Sequence, residues 1–251
     1  MFSIDMMNSI HPNINFKSRN PAVVKADRIC RMVNTEFPSV SSSSLIPRCT
    51  RTILDKAKRF GEKAPQIENG NQPDDRYNKM YHLFIRTDNK LQELVREPFF
   101  RARGVVEENK VLANAIKKHH HANCAELTRL ANIICAVNEI NAQPIAMIAC
   151  DNNEHIISSI DHVALAIPLK ENALKTDKMS KLKNVIIIDP WLGIADFAQN
   201  AILQYKNLFS KYLKLEESHH ICIDTTANMH SIPKEEFQNL RREFPELILN
   251  A

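Results

Sequence analysis

The sequence predicts an α+β fold in which helices come first and a further helix then packs on a small antiparallel sheet. Three observations carry this. Only four glycines among 251 residues, with an apolar content of 44%, favour a helix-rich protein over a β-sandwich, a Rossmann fold or a repeat array. Leu127, Leu130, Ala131, Ile134 and Val137 recur at helical spacing. Downstream, Asp161-His162-Val163-Ala164-Leu165-Ala166-Ile167 and Val185-Ile186-Ile187-Ile188-Asp189 read as strands, the second almost wholly β-branched.

Residues 1–45 are polar, rich in Ser and Asn and weakly periodic, and read as a flexible leader. Residues 46–251 then form a single domain, whose helical part spans 46–118. There the signals give a helix over Arg48–Phe60 closed by Gly61, a loop over Pro65–Asp75, a helix over Tyr77–Glu97 stopped by Pro98, and a helix over Val105–Lys118. The central part, 119–224, holds the Leu127 helix running to about Asn141, a strand over Ile145–Cys150 and a turn at Asp151-Asn152-Asn153. The His162 strand to about Leu169, a lysine-rich loop over Lys170–Lys183 and the Val185 strand follow. A helix over Asp196–Leu213 and a short strand at Ile221–Ile223 come next, then a C-terminal helix over 233–247 that opens with Pro233 and Glu235-Glu236.

A net charge of +4 is too mild to hold nucleic acid. Six cysteines stand far apart, without the dense pairing of a disulfide scaffold, which favours a reducing compartment. The N-terminus lacks the basic-then-apolar pattern of a signal peptide, and no apolar run approaches a membrane span.

Chemistry concentrates at Asn123-Cys124-Ala125-Glu126. Asn123 is a good N-cap, and Glu126 three positions on completes a capping box. Cys124 therefore starts a helix, where the dipole favours a thiolate. His162 leads into one apolar strand and Asp189 ends another, so each delivers one polar residue beside a helix end. Nucleophile, base and orienter of the base are all present. Each also has a bland reading: a small buried hydrophobe, a hydrogen-bonded histidine at a strand edge, and a strand-ending turn. Their joint occurrence in one order favours the triad.

Over roughly 114–193 these motifs resemble the papain-like and transglutaminase-like thiol hydrolases, nearest to the cysteine protease and glutamine deamidase effectors that bacterial pathogens inject into host cells. The resemblance implies a papain-like α+β fold and a catalytic domain that needs no cofactor and no metal. It implies a Cys124–His162–Asp189 triad acting on an amide of a host protein, by glutamine deamidation or peptide cleavage. A secretion chaperone is a further implied partner. The implied localisation is the host cytoplasm, reached through a dedicated system without a signal peptide, and otherwise the cell's own cytoplasm.

Papain-like enzymes place a glutamine shortly before the cysteine as an oxyanion donor, and Lys117 to Ala122 contains none. Asn114, His121 and Asn123 are the candidates for that role, and Trp191 and Glu126 are candidates for lying near substrate. The interval from His162 to Asp189 makes the lysine-rich loop an excursion, read as a substrate-facing flap.

Two clusters compete as metal ligands: His119, His120, His121 with Cys124, and His219, His220 with Cys222. Neither has the paired spacing of a zinc site. A non-catalytic protein that binds a host factor on the same fold is the alternative function. If the leader is flexible, deleting residues 1–40 leaves the melting temperature nearly unchanged, whereas deleting 233–251 removes the stripe Phe237, Leu240, Phe244, Leu247 and destabilises the protein.

Overall fold

The computed structural model describes residues 20–37, 87, 89–151, 156–175, 178–213, 220–225 and 231–249. The expected helix at Arg48–Phe60, the Pro65–Asp75 loop and the start of the Tyr77–Glu97 helix lie outside the described residues, as do Asn152, Asn153, Cys49 and His219.

The architecture is α+β. Its helices are α1 (Pro21–Glu36), α2 (residues 89–101), α3 (Val105–His119), α4 (Cys124–Val137), α5 (Ala198–Leu213) and α6 (Phe237–Glu243). The strands are β1 (Gln143–Cys150), β2 (Ile156–Pro168), β3 (Val185–Asp189), β4 (Ile194–Phe197) and β5 (His220–Asp224). They form one antiparallel sheet in the order β4-β3-β2-β1-β5.

Side chains alternate across this sheet, as extended backbone requires. Leu165, Ile167, Ile186 and Ile188 pack with α1, α4 and α6. Ala164, Ala166, Val185 and Ile187 pack with Ala198, Ala201, Ile202 and Tyr205 of α5. Both faces are covered, which explains why Val185–Ile188 is an unbroken apolar run rather than an alternating one.

The leader expected over residues 1–45 is corrected for residues 20–37. Asn20 caps α1 by accepting from the Ala22 N–H at 2.9 Å, and Pro21 occupies the first helical position. Val23, Ala26, Ile29, Cys30 and Val33 are buried in the same core as α4, and Phe37 closes the helix there. Its stripe is made partly of Ala and Cys, a weak periodic signal within a polar segment.

Five boundaries also differ from expectation. Helix α2 runs through Pro98 to residue 101, because Phe99 packs on the core under the Arg129 guanidinium, 4.5 Å from the ring centroid. Helix α4 ends at Val137, where Asn138 donates to the Ile134 and Leu247 carbonyls and accepts from the Leu249 N–H. Pro144 lies inside β1, at the end where β5, which pairs from Ala146 onward, leaves an edge. The expected start of the Asp196 helix is strand β4, and the C-terminal helix is interrupted at Phe244, the residue before Pro245.

Because α1 contributes buried side chains, its removal costs core packing. Deleting residues 20–37 lowers the melting temperature strongly, and Ile29→Ala, at a fully buried site, costs about 3 kcal/mol in denaturant unfolding.

Candidate active site

Cys124 occupies the first position of α4, where N–H groups point out of the helix end. The cap that sets this start is built as the sequence implies. The Asn123 N–H donates to Glu126 Oε2 at 2.9 Å, and Glu126 Oε1 accepts from Arg96 Nε at 2.7 Å. Glu126 is thus buried and committed to holding the helix start against α2. Thr128, one turn on, donates to the Val163 carbonyl at 3.1 Å and ties α4 to β2 beside His162.

His162 is placed by an irregularity in the sheet. Between the pairs Met147↔His162 and Ile148↔Ser159, one step on β1 corresponds to three on β2. The inserted residues directly precede His162, and such a bulge re-aims the side chains next to it.

Asp189 ends β3 and is completely buried. Its Oδ2 lies 2.6 Å from His162 Nε2 and also accepts from the Tyr205 hydroxyl at 2.9 Å. Its Oδ1 accepts from the Leu192 N–H at 3.1 Å, closing the turn in which Gly193 takes a positive φ of 72°. From the other face, α1 reaches the same turn. Asn34 Nδ2 donates to the Pro190 carbonyl at 3.2 Å, and Cys30 Sγ lies 3.8 Å from the Asp189 carbonyl.

Burial by itself lowers the proton affinity of the His162 ring. The adjacent Asp189 carboxylate and, in smaller part, the hydrogen bond and charge of Cys124 outweigh this and raise its pKa to about 10. With Nε2 held by Asp189, Nδ1 is the ring nitrogen that the carboxylate does not engage. Asp189 and, more weakly, Cys124 thus both act on the His162 ring, although the three residues are far apart in sequence.

The remaining candidates separate. Trp191 packs against the imidazole, with ring centroids 5.0 Å apart, and its Nε1 is a buried donor with no hydrogen-bond acceptor among the described residues. Asn114 is exposed on α3, flanked by Ala113 and Ala115, which are buried. His121 is buried two residues before the α4 cap, and the Asn123 backbone N–H is already given to Glu126. The histidine triplet diverges because α3 ends inside it, with His120 left-handed at φ 49°. Among the described residues no group of three His, Cys, Asp or Glu side chains is placed to hold a metal ion, and no helix is long and apolar enough to cross a membrane.

The lysine-rich excursion is not a flap over the site. Pairing of Pro168 with Val185, and the bond from Leu169 N–H to the Asn184 carbonyl at 2.8 Å, close it at the opposite end of the β2–β3 hairpin from His162. Its Met179 and Leu182 are buried on the α5 face instead.

Sequence reasoning missed Tyr205. Its signal was a phenol at i, i+3, i+4, i+7 spacing with Ala198, Ala201 and Ile202 on an apolar stripe, where a buried hydroxyl needs a partner.

Comparison with protein-family models, with curated proteins and with solved structures returned no match to this chain. The functional reading therefore rests on residue chemistry and geometry.

Two outcomes are expected. Cys124 is partly exposed, whereas Cys30, Cys135, Cys150 and Cys222 are buried, and burial pushes the Cys30 thiol up to about 12. Limiting iodoacetamide at neutral pH then labels Cys124 ahead of those four in peptide maps, and His162→Ala slows that labelling about tenfold. The second outcome concerns stability. The folded pKa of His162 lies above the ordinary 6.5, so its charge pair with Asp189 stabilises fully below pH 6.5 and is lost as pH rises toward 10. In thermal melts the advantage of the wild type over His162→Gln shrinks across that window.

Proposed function

We propose that this chain is a thiol hydrolase acting on protein amides through Cys124, His162 and Asp189. The observation that carries the reading is a buried imidazole–carboxylate pair at 2.6 Å whose ring also interacts with a partly exposed cysteine at a helix start. A histidine needed only for packing would not require a cysteine on one side and, on the other, a buried carboxylate with donors on both oxygens.

In this reading Cys124 Sγ attacks the amide carbonyl carbon while its proton resides on His162 Nδ1. The oxyanion forms at the positive end of α4. Collapse expels the nitrogen, which takes the Nδ1 proton and leaves a thioester. Water, deprotonated by the now neutral ring, releases the acid and restores the thiol. Asp189 holds the tautomer throughout. The same acyl-enzyme serves glutamine deamidation and peptide cleavage.

A papain-like arrangement is part of the proposal, supported by a cysteine-bearing helix packed on an antiparallel sheet that supplies His162 and Asp189. The role as an effector delivered into a host cell is supported by the motif resemblance around Asn123-Cys124, His162 and Asp189-Pro190-Trp191.

Intact-mass analysis of candidate protein substrates, with Cys124→Ala as the control, tests the reading. Deamidation adds about one mass unit per site and proteolysis gives fragments, both lost in the variant. Unchanged masses across substrates, together with slow labelling of Cys124, would make the protein a binder rather than an enzyme.

A further inference from the structure

We propose that Tyr205 is a positioning residue that sets the acidity of His162 through Asp189, its hydroxyl donating to the same Oδ2 that receives His162 Nε2. The inference rests on the reading of Cys124, His162 and Asp189 as a working triad.

The geometry is that of a buried carboxylate whose two oxygens both receive donors from the protein. Oδ1 takes the Leu192 N–H, and Oδ2 takes both the imidazole and the phenol. Tyr205 and Asp189 are completely buried, so water cannot replace the hydroxyl. The titratable groups facing the pair come from three helices: Cys124 on α4, Cys30 on α1 and Tyr205 on α5, with Asp27 and Arg31 acting on Cys30. Burial and the Asp189 charge both push the Tyr205 phenol well above its usual range, so it remains a donor.

The consequence follows from charge. While the ring is an imidazolium, the His162–Asp189 pair is neutral overall. When His162 gives its Nδ1 proton to a leaving nitrogen, the pair becomes a buried anion. The Tyr205 O–H bond stabilises that anionic state more than the neutral one, because the carboxylate then lacks its cationic partner. Tyr205 thus tempers the proton affinity that Asp189 imposes, and helps the ring release a proton it would otherwise retain. A purely structural phenol would contribute packing without moving that equilibrium.

The test is NMR of the full chain with labelled histidine, the His162 ring resonance being assigned by its loss in His162→Gln. In Tyr205→Phe, which keeps the ring, the His162 midpoint moves up by about half to one pH unit. An unchanged or lower midpoint in the folded variant overturns the proposal. In the wild type, the Tyr205 Cζ resonance shifts at the same midpoint as His162; a Tyr205 signal that does not respond overturns it without any variant. Neither measurement requires turnover. Slow labelling of Cys124 would defeat the hydrolase reading while leaving a positive Tyr205 result in place, so the two failures are distinguishable.

Discussion

The buried carboxylate of Asp189 is the constraint around which this molecule is arranged. A carboxylate removed from water is unstable unless its oxygens are supplied with donors. Here the donors come from β2, from the turn after β3 and from α5, while α1 fixes the backbone of the same residue and the next. Four parts of the fold must be in place together before Asp189 can be accommodated. The polar centre therefore depends on both helical layers as well as the sheet.

That dependence assigns a role to α1 that its polar sequence conceals. The helix covers the sheet beside α4, and Asn34 and Cys30 reach the Asp189-Pro190 backbone. Loss of α1 would expose apolar sheet surface and release the turn carrying Asp189, Trp191 and Gly193. The N-terminal helix is continuous with the core that positions the site.

The Cys124 side is built by different means. Glu126 satisfies the cap on one oxygen and Arg96 on the other, so α4 is fixed at its start by α2 as well as by its own sequence. Local capping sets where the helix begins, and tertiary contacts with β2 set how that beginning meets His162. A thiol at a helix start becomes a candidate catalyst only when the second condition holds.

The sequence by itself determined the local parts. The capping box at Asn123, the α4 stripe, the β-branched run of Val185–Ile188 and its abrupt end on Asp189 are short-range signals, and backbone sterics and hydrogen bonding express them without distant help. Cys124, His162 and Asp189 were legible as candidates for that reason. Tertiary structure decided what depended on distant partners. Helix α1 is held by burial against the sheet, the extension of α2 past Pro98 by the seat of Phe99, and the strand identity of Ile194–Phe197 by pairing with β3. The excursion after Pro168 points away from His162 because the hairpin register fixes which end is closed. Tyr205 joins Asp189 only once α5 lies on the second face of the sheet, a long-range packing that no local pattern in the chain encodes.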